Sequence, residues 1–130
     1  LGDVYKRQAY ALPTESQWEY ACRAGTTTAY SWGNDINSSQ ANYNWDGGPL
    51  DGNDFKQTID VGQYAANPWG FFDMHGNVWE WVLSIGSEQD RRGGSWYQPG
   101  TVLRSANRRP DNPANRLQDL GFRVSLQNSQ

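Results

Sequence analysis

The chain carries one cysteine, Cys22, one histidine, His75, and two lysines among its 130 residues. A single thiol excludes an internal disulfide and any cysteine-cluster zinc site. A single imidazole excludes the multi-histidine zinc and iron centres that one chain could build alone. No apolar run has the length of a membrane span, and the first residues lack a signal-peptide pattern. The sequence reads as soluble, cytoplasmic or exported, with no membrane contact. Hydrophobic residues make up only 36%, which argues against a helical bundle.

Aromatic side chains take the place of the missing aliphatics. Seven Trp, seven Tyr and four Phe bury large areas per residue. Fourteen Gly and six Pro predict many turns. The expectation is one loop-rich domain with an aromatic core.

Charge is unevenly placed. Residues 1–90 hold four Lys/Arg and twelve Asp/Glu, whereas residues 91–130 hold seven Arg and two Asp. An arginine-only tail can mark a nucleic-acid surface. Arginine also forms planar, bidentate pairs with carboxylates of the same fold. We read the tail in that second way, with no nucleic-acid partner and with Arg104 and Arg108 as internal salt-bridge residues.

Residues 1–8 have no period and look unlike the rest of the chain; they read as a non-native or disordered extension to a domain spanning 9–130. Thr14 and Gln17 form a capping box for a helix whose Trp18, Ala21 and Cys22 share one face. Cys22 is read as a small core residue. Gly25 suits the left-handed position that ends the helix. Residues 26–60 carry almost no period, and Asn, Asp and Gly dominate. Either ordinary surface turns or a bound hard cation would account for such a loop, and its oxygen donors suit calcium better than a transition metal. Short strands are predicted at 60–64, within 77–83, at 103–108 and at 121–126.

The segment Gly70-Phe71-Phe72-Asp73-Met74-His75-Gly76-Asn77-Val78-Trp79-Glu80-Trp81 places one carboxylate between two tryptophans. Burying Glu80 requires a cation or a set of donors.

Four blocks then stand in a telling order: Leu12 to Ala21, Gly70 to Trp81, Gly93-Gly94-Ser95-Trp96 and Gly121-Phe122-Arg123-Val124. With Arg104-Ser105-Ala106 and Pro113, they resemble the formylglycine-generating enzyme, or sulfatase-modifying factor, domain family. The resemblance runs from about residue 11 to 126. It implies an α+β fold, a C-type-lectin-like variant, loop-rich with short twisted antiparallel strands and one clear helix. Members usually begin well upstream of the Leu-Pro-Thr block, so the chain resembles an N-terminally truncated domain.

The resemblance also implies two calcium sites. Asn42, the Tyr43 carbonyl, Asn53 or Asp54, and the Phe55 carbonyl would make one. The His75 carbonyl, Asn77 and Glu80 would make the other, and that ion would be the partner of Glu80. Oxidising members hold copper on two cysteines, and the matching positions here are Gln98 and Leu103. Neither offers the thiolate that Cu(I) needs, so copper and formylglycine chemistry are not expected. Ser95 and Trp81 match residues that line the family's oxygen pocket.

Two functions are therefore expected. One is a non-catalytic, calcium-stabilised module binding a protein, peptide or glycan through Trp81, Ser95, Trp96, Tyr97, Gln98, Asn107, Arg109, Asp111 and Asn112. The other is part of an enzyme, a formylglycine-generating oxidase or a non-haem iron sulfoxide synthase, whose catalytic residues lie outside this chain. The oligomeric state is not readable.

Overall fold

A computed structural model describes residues 8–44, 56–86 and 88–128. Strand β1, Gln8–Ala11, leads into helix α1, Glu15–Arg23. Then come β2, Trp79–Trp81, and β3, Gln89–Arg92. A 3-10 helix at Gly100–Leu103 precedes β4, Arg108–Asp111, β5, Leu120–Gly121, and β6, Ser125–Asn128. The elements form two sheets. β1 pairs with β6, and a four-stranded sheet runs β4–β3–β2–β5. Among the described strands the β2–β5 pair is parallel and the others are antiparallel. This is the α+β, loop-rich architecture expected. Gln8, assigned above to the foreign extension, opens β1 opposite Asn128.

Helix α1 starts as the sequence predicts. The Thr14 hydroxyl accepts from Gln17 N at 3.2 Å, and Gln17 Oε1 accepts from Thr14 N at 3.0 Å. The helix ends where expected, with Gly25 left-handed after it, and Ala24 at the cap is left-handed as well, with φ of 86° and 49° respectively. The Ala24 N–H bonds Tyr20 O, which gives the last turn its partner. Trp18 and Cys22 are buried with Met74 and Val82 in one core cluster. Tyr30, Ala41, Tyr43 and Leu103 form a second.

Three strand expectations are corrected. Residues 60–64 form no strand; they turn at Gly62, whose φ is 81° and whose N–H donates to Asp73 Oδ2 at 2.9 Å. The segment at 103–108 is not extended as a unit. Leu103 ends the 3-10 helix to reach the core, and the strand begins only at Arg108. The run 121–126 splits in two, because Arg123 turns inward between β5 and β6 to reach Glu80. Strand β3 was not expected. Its Asp90, Arg91 and Arg92 are buried, against the usual rule for charged residues, because each pairs with an opposite charge.

Candidate functional site

Register across the four-stranded sheet sorts the site residues onto two faces. Glu80 lies opposite Arg92, which lies opposite Arg108. Helix α1 covers this face. Arg92 Nη2 meets Glu15 Oε1 at 2.8 Å, and Nη1 meets Glu19 Oε1 at 2.9 Å. Arg108 joins Glu15 at 3.1 Å and Asp90 at 3.2 Å. Four of the seven tail arginines, Arg91, Arg92, Arg108 and Arg123, thus pair with carboxylates of the same fold, as read from the sequence. Arg104 is the correction. It is exposed, pairs with no carboxylate among the described residues, and donates its Nε to Thr101 O at 2.8 Å.

Glu80 has a partner of the protein's own. Arg123 Nη2 donates to Glu80 Oε2 at 3.0 Å, and Arg123 Nε donates to Oε1. The Trp18 indole donates to Oε1 at 3.3 Å. Burial pushes the Glu80 carboxyl above its ordinary value, and the Arg123 charge opposes that rise. Both carboxylate oxygens are engaged. Asn77 is also committed: its Oδ1 accepts from Asn42 Nδ2 at 3.1 Å and from Ile59 N at 3.0 Å. Asn77 Oδ1 and both Glu80 oxygens thus take their partners from within the protein.

Asn42 behaves differently. Its Nδ2 donates to Gln57 O at 2.9 Å as well as to Asn77, which fixes the orientation of the amide. Its Oδ1 is buried and accepts no hydrogen bond among the described residues. Tyr43 follows it and is buried. Asn53, Asp54 and Phe55, the other members of that set, lie outside the described residues.

The opposite sheet face carries Trp79, Trp81, Arg91 and Arg109. Trp81 lies opposite Arg91, and Arg91 opposite Arg109. The Arg91 and Arg109 guanidiniums sit 4.8 and 5.7 Å from the Trp79 ring centre. Asp111 meets Arg91 at 3.2 Å. Asn112 is exposed and caps the turn after β4 by accepting from Ala114 N at 2.9 Å. The Trp96 N–H donates to Asn77 O at 3.0 Å, which sets Trp96, Tyr97 and Gln98 beside the start of β2. Tyr97 is 63% exposed and meets Trp96 edge-on at 5.6 Å. Asn107 does not join them; it lines a cavity on the α1 side of the sheet.

Ser95 is fully buried, and its hydroxyl donates to Asp119 Oδ2 at 2.7 Å while accepting from Tyr97 N. Asp119, which the sequence did not single out, also accepts from Trp79 N through its carbonyl at 2.8 Å. Ser95 is thus a joint between loop and sheet. Leu103, at the second copper-cysteine position, is fully buried. Its carbonyl accepts from His75 Nδ1 at 2.7 Å. The other ring nitrogen, Nε2, accepts from Ser31 N at 3.2 Å, so the imidazole is neutral. Burial pushes His75 down to about 4 and the neighbouring Cys22 thiol up to about 12. Cys22 is therefore a core residue and no nucleophile at neutral pH.

Among the described residues no helix is long and apolar enough to cross a membrane. The sequence matches the family described as "Sulfatase-modifying factor enzyme 1-like domain" over residues 2–128. It is 46% identical over 80 residues to the formylglycine-generating enzyme of Mycobacterium tuberculosis, covering 56% of this chain and 26% of that protein. It is 35% identical over 132 residues to the inactive C-alpha-formylglycine-generating enzyme 2 of Bos taurus, covering 88% of this chain and 43% of that protein. The solved structure of PvdO from Pseudomonas aeruginosa superposes with a TM-score of 0.79 at 27% identity, over 88% of this chain and 51% of PvdO. The chain spans less than half the length of these curated relatives. It belongs to the sulfatase-modifying factor, or formylglycine-generating enzyme, domain family.

Proposed function

We propose that this domain is a non-catalytic member of the family, a calcium-stabilised module that binds a protein, peptide or glycan. The observation that carries this reading is Leu103: at a position matched to a copper-binding cysteine stands an aliphatic side chain sealed in the core. The other matched position, Gln98, has no thiol. A relative of similar sequence is itself named inactive. The ligand surface is the partly exposed edge of that sheet face with Trp81, Arg109 and Asp111, extended by Trp96, Tyr97, Gln98 and Asn112. Exposed aromatic and polar side chains of this kind suit recognition. Screening the protein on peptide and glycan arrays tests it. Binding that falls at least tenfold in Tyr97→Ala supports the surface; binding unchanged by Tyr97→Ala and Arg109→Ala moves it elsewhere.

Calcium is assigned to the Asn42 side only. The unpartnered Asn42 oxygen and the adjacent Tyr43 carbonyl are hard donors of the type calcium takes, and Asn53, Asp54 and Phe55 would complete the set. Saturating calcium is expected to raise the melting temperature by several degrees, since a ligand at a hundred times its Kd adds about 2.7 kcal/mol. EDTA reverses the rise, and Asn42→Ala removes it. A melting temperature indifferent to both calcium and EDTA overturns the assignment.

A further inference from the structure

Behind the sheet, on the side of α1, a cavity of about 380 Å³ is lined by Arg23, Arg104 and Arg108 together with Thr27, Thr28 and Asn107. Three guanidiniums around one opening is more positive charge than the fold's pairing needs. Arg23 gives its Nε to Glu19 at 2.9 Å and its Nη1 to Thr28 O at 3.0 Å. Arg108 spends Nε on Glu15 and Nη2 on Asp90. Across this network the guanidiniums of Arg23, Arg92 and Arg108 meet the carboxylates of Glu15, Glu19 and Asp90. The uncompensated charge is that of Arg104, whose two terminal nitrogens have no partner among the described residues.

The carboxylates also hold Arg23 and Arg108 in place. Each is tied at two nitrogens and keeps one terminal nitrogen without a partner among the described residues. Arginine presents its N–H groups in a rigid fork that matches phosphate and sulfate oxygens. Anchored forks lose less rotamer freedom on binding than mobile lysines do. The net charge of the whole chain is −3, which repels a long polyanion and leaves this patch suited to one charged group.

We propose that the Arg23–Arg104–Arg108 cavity binds a single doubly charged oxyanion, a phosphate or sulfate group. Arg104 supplies the uncompensated charge, Arg23 and Arg108 supply fixed donors, and Thr27 and Asn107 lie at the cavity wall to contribute neutral hydrogen bonds. This site shares no residue with the ligand surface proposed above and does not depend on it.

The test uses the purified chain with sodium phosphate, sodium sulfate and sodium chloride at matched ionic strength. Phosphate or sulfate is expected to raise the melting temperature above the chloride control, and the two arms show which oxyanion the cavity prefers. Phosphate-31 line broadening on added protein gives the same answer without any variant. Arg104→Gln, an exposed position, should weaken binding at least tenfold, and Arg104→Lys should weaken it less. No shift beyond chloride for either anion, or a shift that survives intact in Arg104→Gln, overturns the proposal. Should Arg104→Gln fail to fold, line broadening in the unaltered chain that chloride fully suppresses at equal ionic strength overturns it as well.

Discussion

Arg123→Ala is expected to cost about 3–5 kcal/mol at neutral pH, the range for removing one partner of a buried ion pair. The loss does not come from the pair's net attraction, which desolvation offsets. It comes from Glu80, only 4% exposed at its side chain, left charged in the core with one indole N–H. Arg123 also donates to Phe72 O at 2.8 Å, so the 70–73 turn loses an anchor. The cost should depend on pH. Burial raises the Glu80 carboxyl, and removing Arg123 raises it further. The folded variant then holds its proton more tightly than the unfolded chain does. Its stability is fullest below the unfolded value of about 4.3 and falls as pH rises above it. Urea unfolding at pH 4 and pH 7 should show a smaller deficit at pH 4. An equal deficit at both values contradicts the account of Glu80.

Leu103→Ala is expected to cost about 3 kcal/mol. Leu103 is fully buried among Tyr30, Ala41 and Tyr43. It also fills the space beside two glycines that could not carry a side chain. A Cβ on Gly94 would lie 2.6 Å from Leu103 Cδ1, and one on Gly76 would lie 2.9 Å from its Cδ2. Backbone this close cannot readily collapse into the cavity left by truncation, so relaxation recovers little. Measured by the urea midpoint, a loss below about 1 kcal/mol would show that Leu103 is not sealed in the core. The same packing explains why the position is remote from any surface reaction.

Range decides how much of this fold and site was legible in the sequence. The capping box at Thr14 is a contact three residues long, and residue types alone specify it. The demand of Glu80 for a partner was legible because a carboxylate between tryptophans has few options. The identity of that partner was not. Arg123 lies 43 residues away and sits in an alternating run that reads as plain strand. Strand β3 was invisible for a related reason. Gln89-Asp90-Arg91-Arg92 has the polarity of a loop, and only pairing with Glu15, Glu19, Arg108 and Asp111 makes its burial tolerable. The expected ligand set lost Asn107, which precedes β4 and lines the cavity on the α1 side, while Arg109 and Asp111 share the opposite face of that strand.

The central claim is that this chain lacks the family's oxidation chemistry because Gln98 and buried Leu103 stand where thiolates would hold copper. Incubating the protein with a cysteine-containing sulfatase peptide, oxygen, a reductant and Cu(I), followed by mass spectrometry, tests it most directly. The account predicts a peptide whose cysteine is unchanged, with copper or without it. A copper-dependent product carrying the formylglycine aldehyde would contradict it.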